Sequence, residues 1–190
     1  MELTFVEKKL RQALSAKRYR HSVGVSQTAA ELAERFDADI DRATVAGLLH
    51  DCARELPNKT LLKRAADSAI VVGSLEESSP VLLHAVVSAR LAAEEYGVQD
   101  EAVLRAIALH TTGGAGMGKL DKIIFLADFI EPGRIFPGVD RLRELADRNL
   151  DKAVLAAFDQ TIRHLLDKGM VIHPASVAGR NELLLSLHDK

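Results

Sequence analysis

Apolar residues recur along this chain at the three-to-four-residue interval of helices facing a core, and no stretch keeps up the alternation of a half-buried strand. In "RHSVGVSQTAAELAERF", Val25, Ala29, Leu32, Ala33 and Phe36 fall on one helical stripe. Glycine and proline fall mostly between such stretches. Pro57 stops "DIDRATVAGLLHDCAREL", Gly97 ends the run closing on "EEYGV", and Pro132 ends "DFIEPGR". The pattern predicts helices over residues 3–16, 21–36, 41–55, 59–68, 79–96, 100–110, 118–130, 139–147 and 150–168. "MVIHP" is read as a short extended piece. No internal repeat, low-complexity segment or linker interrupts the series, so the expected fold is an all-α, compact helical bundle with residues 1–190 forming one domain.

Composition narrows the function classes. Of 190 residues, 47% are hydrophobic, enough to bury a core, and the formal net charge is -2, which speaks against general nucleic-acid binding. No apolar run is long enough to span a membrane, and "MELTFVEKKL" is too charged for a signal peptide. The single cysteine, Cys52, builds neither a disulfide framework nor a cysteine-rich zinc site and is read as a small core residue. A cytoplasmic protein without a membrane or nucleic-acid partner is expected. A homodimer is left open.

The chemistry lies in polar residues within or ending apolar helices. An apolar residue, a leucine and a histidine recur in that order at His50, His84 and His110. His21 opens the second predicted helix, and His50 with Asp51 closes the third. Asp128 sits in "KLDKIIFLADFIEP" among Ile123, Ile124, Phe125, Leu126, Ala127, Phe129 and Ile130. A buried carboxylate is costly without a cation, so Asp128 demands an arginine, a lysine or a metal ion; Arg134 and Lys122 are the nearby candidates. Imidazole and carboxylate ligands from His21, His50, Asp51 and Asp128 together suit manganese, iron, cobalt or zinc. His164, His173 and His188 read as surface or satisfied side chains.

The ordered set His21, His50-Asp51, Asp128 resembles the HD superfamily of metal-dependent phosphohydrolases. The longer stretches "RYRHSVGV", "AGLLHDCARELP", "ALHTTGGAGMGKLDKIIFLADFIEPGR" and "VIHPASVAGRN" are similar to its YqeK branch, with the motif-bearing core at about residues 18–135. Where that branch carries "HGPVGA", this chain reads "HAVVSA" from His84, and its C-terminal stretch with Arg180 and Asn181 also departs from the family form. The resemblance implies a symmetrical bis(5'-nucleosyl)-tetraphosphatase that splits diadenosine tetraphosphate (Ap4A) into two ADP. It implies one or two divalent or trivalent metal ions, iron foremost, held by His21, His50, Asp51 and Asp128. His84 and His110 would then contact phosphate, protonate the leaving group or bind a second ion, with Asp51, His84 and His110 as the catalytic residues. Arg18, Thr111 and Arg134 would bind the polyphosphate, for which the planar guanidinium fork is well suited. Glu131 is read either as orienting Arg134 or a ligand or as solvent-exposed. Two other readings stay open: an HD phosphohydrolase for another nucleotide (a nucleoside mono- or triphosphate, or a guanosine alarmone) and a non-catalytic nucleotide- or RNA-binding regulator.

Overall fold

A computed structural model describes residues 3–188, and among them there is no strand. Eleven α-helices follow one another: α1 (Leu3–Ala13), α2 (Ala16–Arg35), α3 (Ile40–Leu49), α4 (Asn58–Asp67), α5 (Ser74–Ser78), α6 (His84–Tyr96), α7 (Glu101–Leu109), α8 (Lys119–Ile130), α9 (Val139–Ala146), α10 (Leu150–Asp167) and α11 (Pro174–His188). Side-chain oxygens start four of them. Ser15, Asp39, Asp100 and Asn149 accept from backbone N–H groups in the first turns of α2, α3, α7 and α10. Gly97, at φ 73°, ends α6 in the left-handed conformation that costs glycine little.

The centre of the molecule is α2 against α3 and α8, with α7 packed on α3, α6 and α8. One core runs from Val6 to Leu183. Leu32, Leu49, Ile107, Ile123, Ile124 and Leu126 are fully buried in it, and the Phe125 and Phe158 rings meet at 4.6 Å between α8 and α10. No helix among the described residues is long and apolar enough to cross a membrane.

The departures from the expected elements have local causes. Helix α2 starts at Ala16, five residues before the expected start, because Ser15 caps it; His21 therefore lies inside a helix instead of opening one. Helix α3 stops at Leu49 and does not reach residue 55. Ser88 Oγ accepts the Ala53 N–H at 3.0 Å, and tight turns such as Arg54 N–H to Asp51 O take over. The helix expected over 79–96 begins as a 3-10 turn at Pro80–Leu83, with Pro80 in its first turn where no N–H is needed, and the separate α5 precedes it. "MVIHP" is irregular at residues 170–173 and leads into α11, which the periodicity did not reveal.

Helix α11 buries Ser176, Gly179 and Leu183, and two of these are too small to register in an apolar pattern. They close on the loop that follows His110. Ser176 Oγ donates to Thr112 O at 2.8 Å, and Gly179 lies so near Gly114 that a Cβ there would stand 2.5 Å from Gly114 O. The opposite end of the loop is fastened by Arg105 to Gly116 O and by Gly116 N–H to Glu182. Gly113 adopts φ 59° and leaves room for the Phe158 ring beneath it. Arg180 donates to Asp159 on α10 at 2.9 Å, which ties α11 to α10, and also to its neighbour Asn181 within α11.

Candidate metal centre

His50, His84 and His110 share one local geometry, which accounts for their shared sequence. Each follows the end of a helix or 3-10 turn. Each sets its ring Nδ1 against the carbonyl three residues earlier: Gly47 O at 2.7 Å, Val81 O at 2.5 Å and Ile107 O at 2.7 Å. A carbonyl only accepts, so Nδ1 carries the proton and Nε2 presents a lone pair. Core residues anchor each turn (Leu48 and Leu49 before His50, Leu83 before His84, Ala106 and Ile107 before His110), and the three lone pairs point inward.

The three Nε2 atoms gather around Asp51, which is 3% exposed. Its Oδ1 lies 3.2 Å from His84 Nε2 and 3.5 Å from His110 Nε2, while its Oδ2 lies 3.4 Å from His50 Nε2 and 3.8 Å from His21 Nε2. His84 and His110 present Nε2 to each other at 3.1 Å. Asp128 Oδ1 is 2.9 Å from His21 Nε2 and 3.8 Å from His50 Nε2. Lone pairs and carboxylate oxygens thus converge, with donors, among the described residues, only from Arg18, Arg134 and the Thr111 hydroxyl around them. His21 Nε2, His50 Nε2 and Asp51 Oδ1 are buried and have no hydrogen-bond partner. Left so, each such atom costs the desolvation of a polar group; a shared cation removes that cost. Three groups lie with their ligand atoms within 4.8 Å of one another: His21, His50 and Asp51; His50, His110 and Asp128; and Asp51, His84 and His110. The donor chemistry is that of a divalent metal site.

The electrostatics agree. Burial would raise the Asp51 carboxyl, but His50, His110 and His84 hold it well below the usual carboxylate range. Burial acts likewise on Asp128, and His21, His50 and Arg134 overcome it and keep the group ionised. Burial pushes His84 below the ordinary histidine value, with His110 adding to the effect, so it is neutral at neutral pH. At His21 burial also pulls downward, but Asp128 and Glu131 outweigh it and leave the pKa raised.

The two arginines singled out from the sequence flank the centre. Arg18 Nη1 donates to Asp51 Oδ2 at 2.7 Å; Arg134 donates through Nε to Asp128 O at 2.6 Å and through Nη2 to Asp128 Oδ1. Their side chains are 27% and 37% exposed, so both reach the solvent edge. Asp128 therefore has an arginine partner besides its histidines; Lys122 pairs with Asp151 instead. Thr111 Oγ1 lies 3.1 Å from His84 Nε2 and 3.0 Å from His110 Nε2. Arg20, His164 and His188 are exposed, and His173 pairs with Glu76. The "HAVVSA" stretch forms a regular helical start at His84, with Ala85, Val87 and Ser88 buried.

Of the sequence readings of Glu131, the structure sets aside solvent exposure and a contact with the Arg134 side chain, and places the carboxylate against a ligand candidate, His21. Glu131 is 5% exposed, with Oε1 3.0 Å from His21 Nδ1 and Oε2 accepting from Gly133 N–H at 2.5 Å. A second buried carboxylate, Asp121, escaped the sequence reading; it accepts from Gly118 N–H and faces Arg105.

The model of the HD domain matches residues 18–133. The symmetrical bis(5'-nucleosyl)-tetraphosphatase of Bacillus subtilis is 42% identical over 175 residues, covering 92% of this chain and 94% of its own. Its namesake in Staphylococcus aureus is 35% identical over 181 residues, covering 93% and 92%. The crystal structure of an HD-superfamily hydrolase of Clostridium acetobutylicum, assigned to NAD metabolism, superposes with a TM-score of 0.95 at 41% identity over 98% of each chain. Both the histidine and aspartate cluster and these likenesses lead to one conclusion: the chain belongs to the HD-domain family, in the YqeK-type group of these relatives.

Proposed function

We propose that this chain hydrolyses a dinucleoside polyphosphate, Ap4A, symmetrically: one water is consumed, the anhydride bridge between the two central phosphates breaks, and two ADP leave. The observation that carries a hydrolase reading is the convergence of His21, His50, His84, His110, Asp51 and Asp128 on one centre with unpartnered buried acceptors. The choice of substrate is supported by the names of the relatives that match nearly the full chain.

His21, His50, Asp51 and Asp128 would hold one ion. His84 and His110, facing the other oxygen of Asp51, would hold a second ion or the phosphates. A bound cation supplies Lewis acidity, acidifying water and neutralising charge on the phosphate under attack. Iron is our assignment on family resemblance, with manganese, cobalt and zinc fitting the same mixed nitrogen and oxygen donors. The protein's own groups set the rest. Arg18 and Arg134 bring two fixed positive charges to the edge of a net-acidic chain, where a polyphosphate must dock. The Nδ1–H of His84 is committed to Val81 O, and its Nε2 is unprotonated at neutral pH; this favours His84 as a ligand or proton acceptor over a proton donor. Thr111 Oγ1 can turn its proton toward either imidazole or a phosphate oxygen. A reducing cytoplasm suits a chain whose one cysteine is a buried free thiol.

The test is product analysis. Incubation of the purified protein with Ap4A and a divalent metal should yield ADP alone. AMP with ATP, or no turnover while a nucleoside triphosphate or alarmone is hydrolysed, would overturn the substrate assignment.

A further inference from the structure

Of the four histidines around the centre, three have their Nδ1–H groups held by backbone carbonyls of their own turn. His21 has no such acceptor. It lies inside α2, where the carbonyls of the preceding turn already accept helical N–H groups. Its Nδ1–H goes to Glu131, 110 residues further along, at 3.0 Å.

Glu131 is an unfavourable residue for its place. It terminates α8, and the C-terminal end of a helix repels negative charge. It is 5% exposed. Two glycines make room for it. A Cβ on Gly24, one turn beyond His21 in α2, would stand 2.7 Å from Glu131 Oε2, and a Cβ on Gly133 would stand 3.0 Å from both carboxylate oxygens. Gly133 N–H binds Oε2, and Arg143 donates to the Glu131 carbonyl at 3.0 Å, so the carboxylate can scarcely turn away.

We infer that Glu131 is the positioning residue of the metal centre: it fixes the tautomer and ring orientation of His21, and its charge, relayed through the imidazole, makes His21 Nε2 the strongest nitrogen donor of the set. A carboxylate behind a ligating histidine raises ligand basicity, and its loss costs about 10- to 100-fold in metal affinity. The inference rests on the metal-site reading above. It adds an asymmetry: the ion at His21, His50, Asp51 and Asp128 is held more tightly than any ion at His84 and His110, whose imidazoles lean on neutral carbonyls.

The experiment is calorimetric titration of the metal-stripped full chain with Mn2+. Glu131→Gln, which removes the charge and one of the two acceptors, should weaken the tighter Mn2+ site by about 10- to 100-fold. Its kcat should recover at saturating Mn2+, because the carboxylate acts through His21 Nδ1 and is otherwise held by Gly133 N–H. Gly24→Ala keeps the carboxylate but crowds it; its Mn2+ affinity should fall in the same direction even where Glu131→Gln folds poorly. Wild-type affinity in both variants would overturn the inference. So would a purely structural pattern, in which thermal unfolding of the metal-free protein drops while the folded fraction binds Mn2+ as before. His21→Ala is the control for the underlying reading: wild-type Mn2+ affinity in that variant would mean the metal site itself has been misassigned.

Discussion

Replacing Gly179 by alanine tests whether α11, on the far side of the loop from the metal centre, sets the geometry of Thr111. The new Cβ would lie 2.5 Å from Gly114 O, 2.8 Å from Gly114 C and 3.1 Å from Gly114 N, where ordinary contact begins at 3.4 Å. All three neighbours are backbone, so no flexible side chain can yield, and helix and loop must part by close to an ångström. Such overpacking costs about 1–3 kcal/mol. Alanine returns about 1 kcal/mol as the better helix former. The net is a destabilisation of up to about 2 kcal/mol, and at 2–4 °C per kcal/mol for a chain of this size Tm should fall by no more than about 8 °C. Turnover should suffer more. The Ser176–Thr112 hydrogen bond spans the interface that opens, and Thr111 is the next residue along. A misplacement of about 1 Å can cost about 100-fold. Differential scanning calorimetry with Ap4A kinetics on the same preparation checks both numbers. Unchanged kcat/KM in a variant whose Tm has fallen would refute the claim that α11 seats the loop.

Further outcomes follow from the same structure. Asp51→Ala removes a member of two of the three ligand groups and should abolish Ap4A hydrolysis while circular dichroism still reports a helical fold; normal turnover would contradict the centre described above. A saturating chelator should end activity and lower Tm, since a ligand held at about 100 times its Kd stabilises the folded state by about 2.7 kcal/mol. Arg18→Ala and Arg134→Ala should each raise KM for Ap4A more than they lower kcat, which steady-state kinetics resolves. Burial pushes the Cys52 thiol up from 9.0 to about 12. The unfolded chain therefore loses that proton first, and stability should fall by about 1.4 kcal/mol per pH unit above pH 9 until the folded thiol also ionises. Cys52→Ala should flatten that alkaline limb in pH-dependent urea unfolding, and the native thiol should resist DTNB at pH 8.

The sequence exposed most of the candidate centre because its histidines break a strong pattern. An imidazole after a leucine at a helix end is conspicuous, and Asp128 stands out in an otherwise apolar helix. Helix ends were read less well where a distant side chain decides them, as Ser88 does for α3 by taking the Ala53 N–H. Helix α11 stayed hidden because its packing rests on Ser176 and Gly179, whose small size is the reason they fit and also the reason they leave no apolar stripe. Glu131 was visible as a residue but not as a partner of His21: nothing local in either segment indicates that α2 and α8 lie side by side.

That adjacency bears on how the chain holds itself shut. With one cysteine, it has no disulfide to tie distant segments together. The contact of His21 with Glu131 already closes a loop of 110 residues, and the centre draws in the ends of α3, the 3-10 turn and α7 besides. A covalent cross-link over a loop of about 100 residues is worth about 4.7 kcal/mol in the chain-entropy description. An ion gripped from both ends of that loop is the reversible counterpart of such a staple. Its release would leave α2 and α8 joined by their packing and by the His21–Glu131 contact alone, so metal supply would bear on the stability of the folded molecule as well as on its turnover.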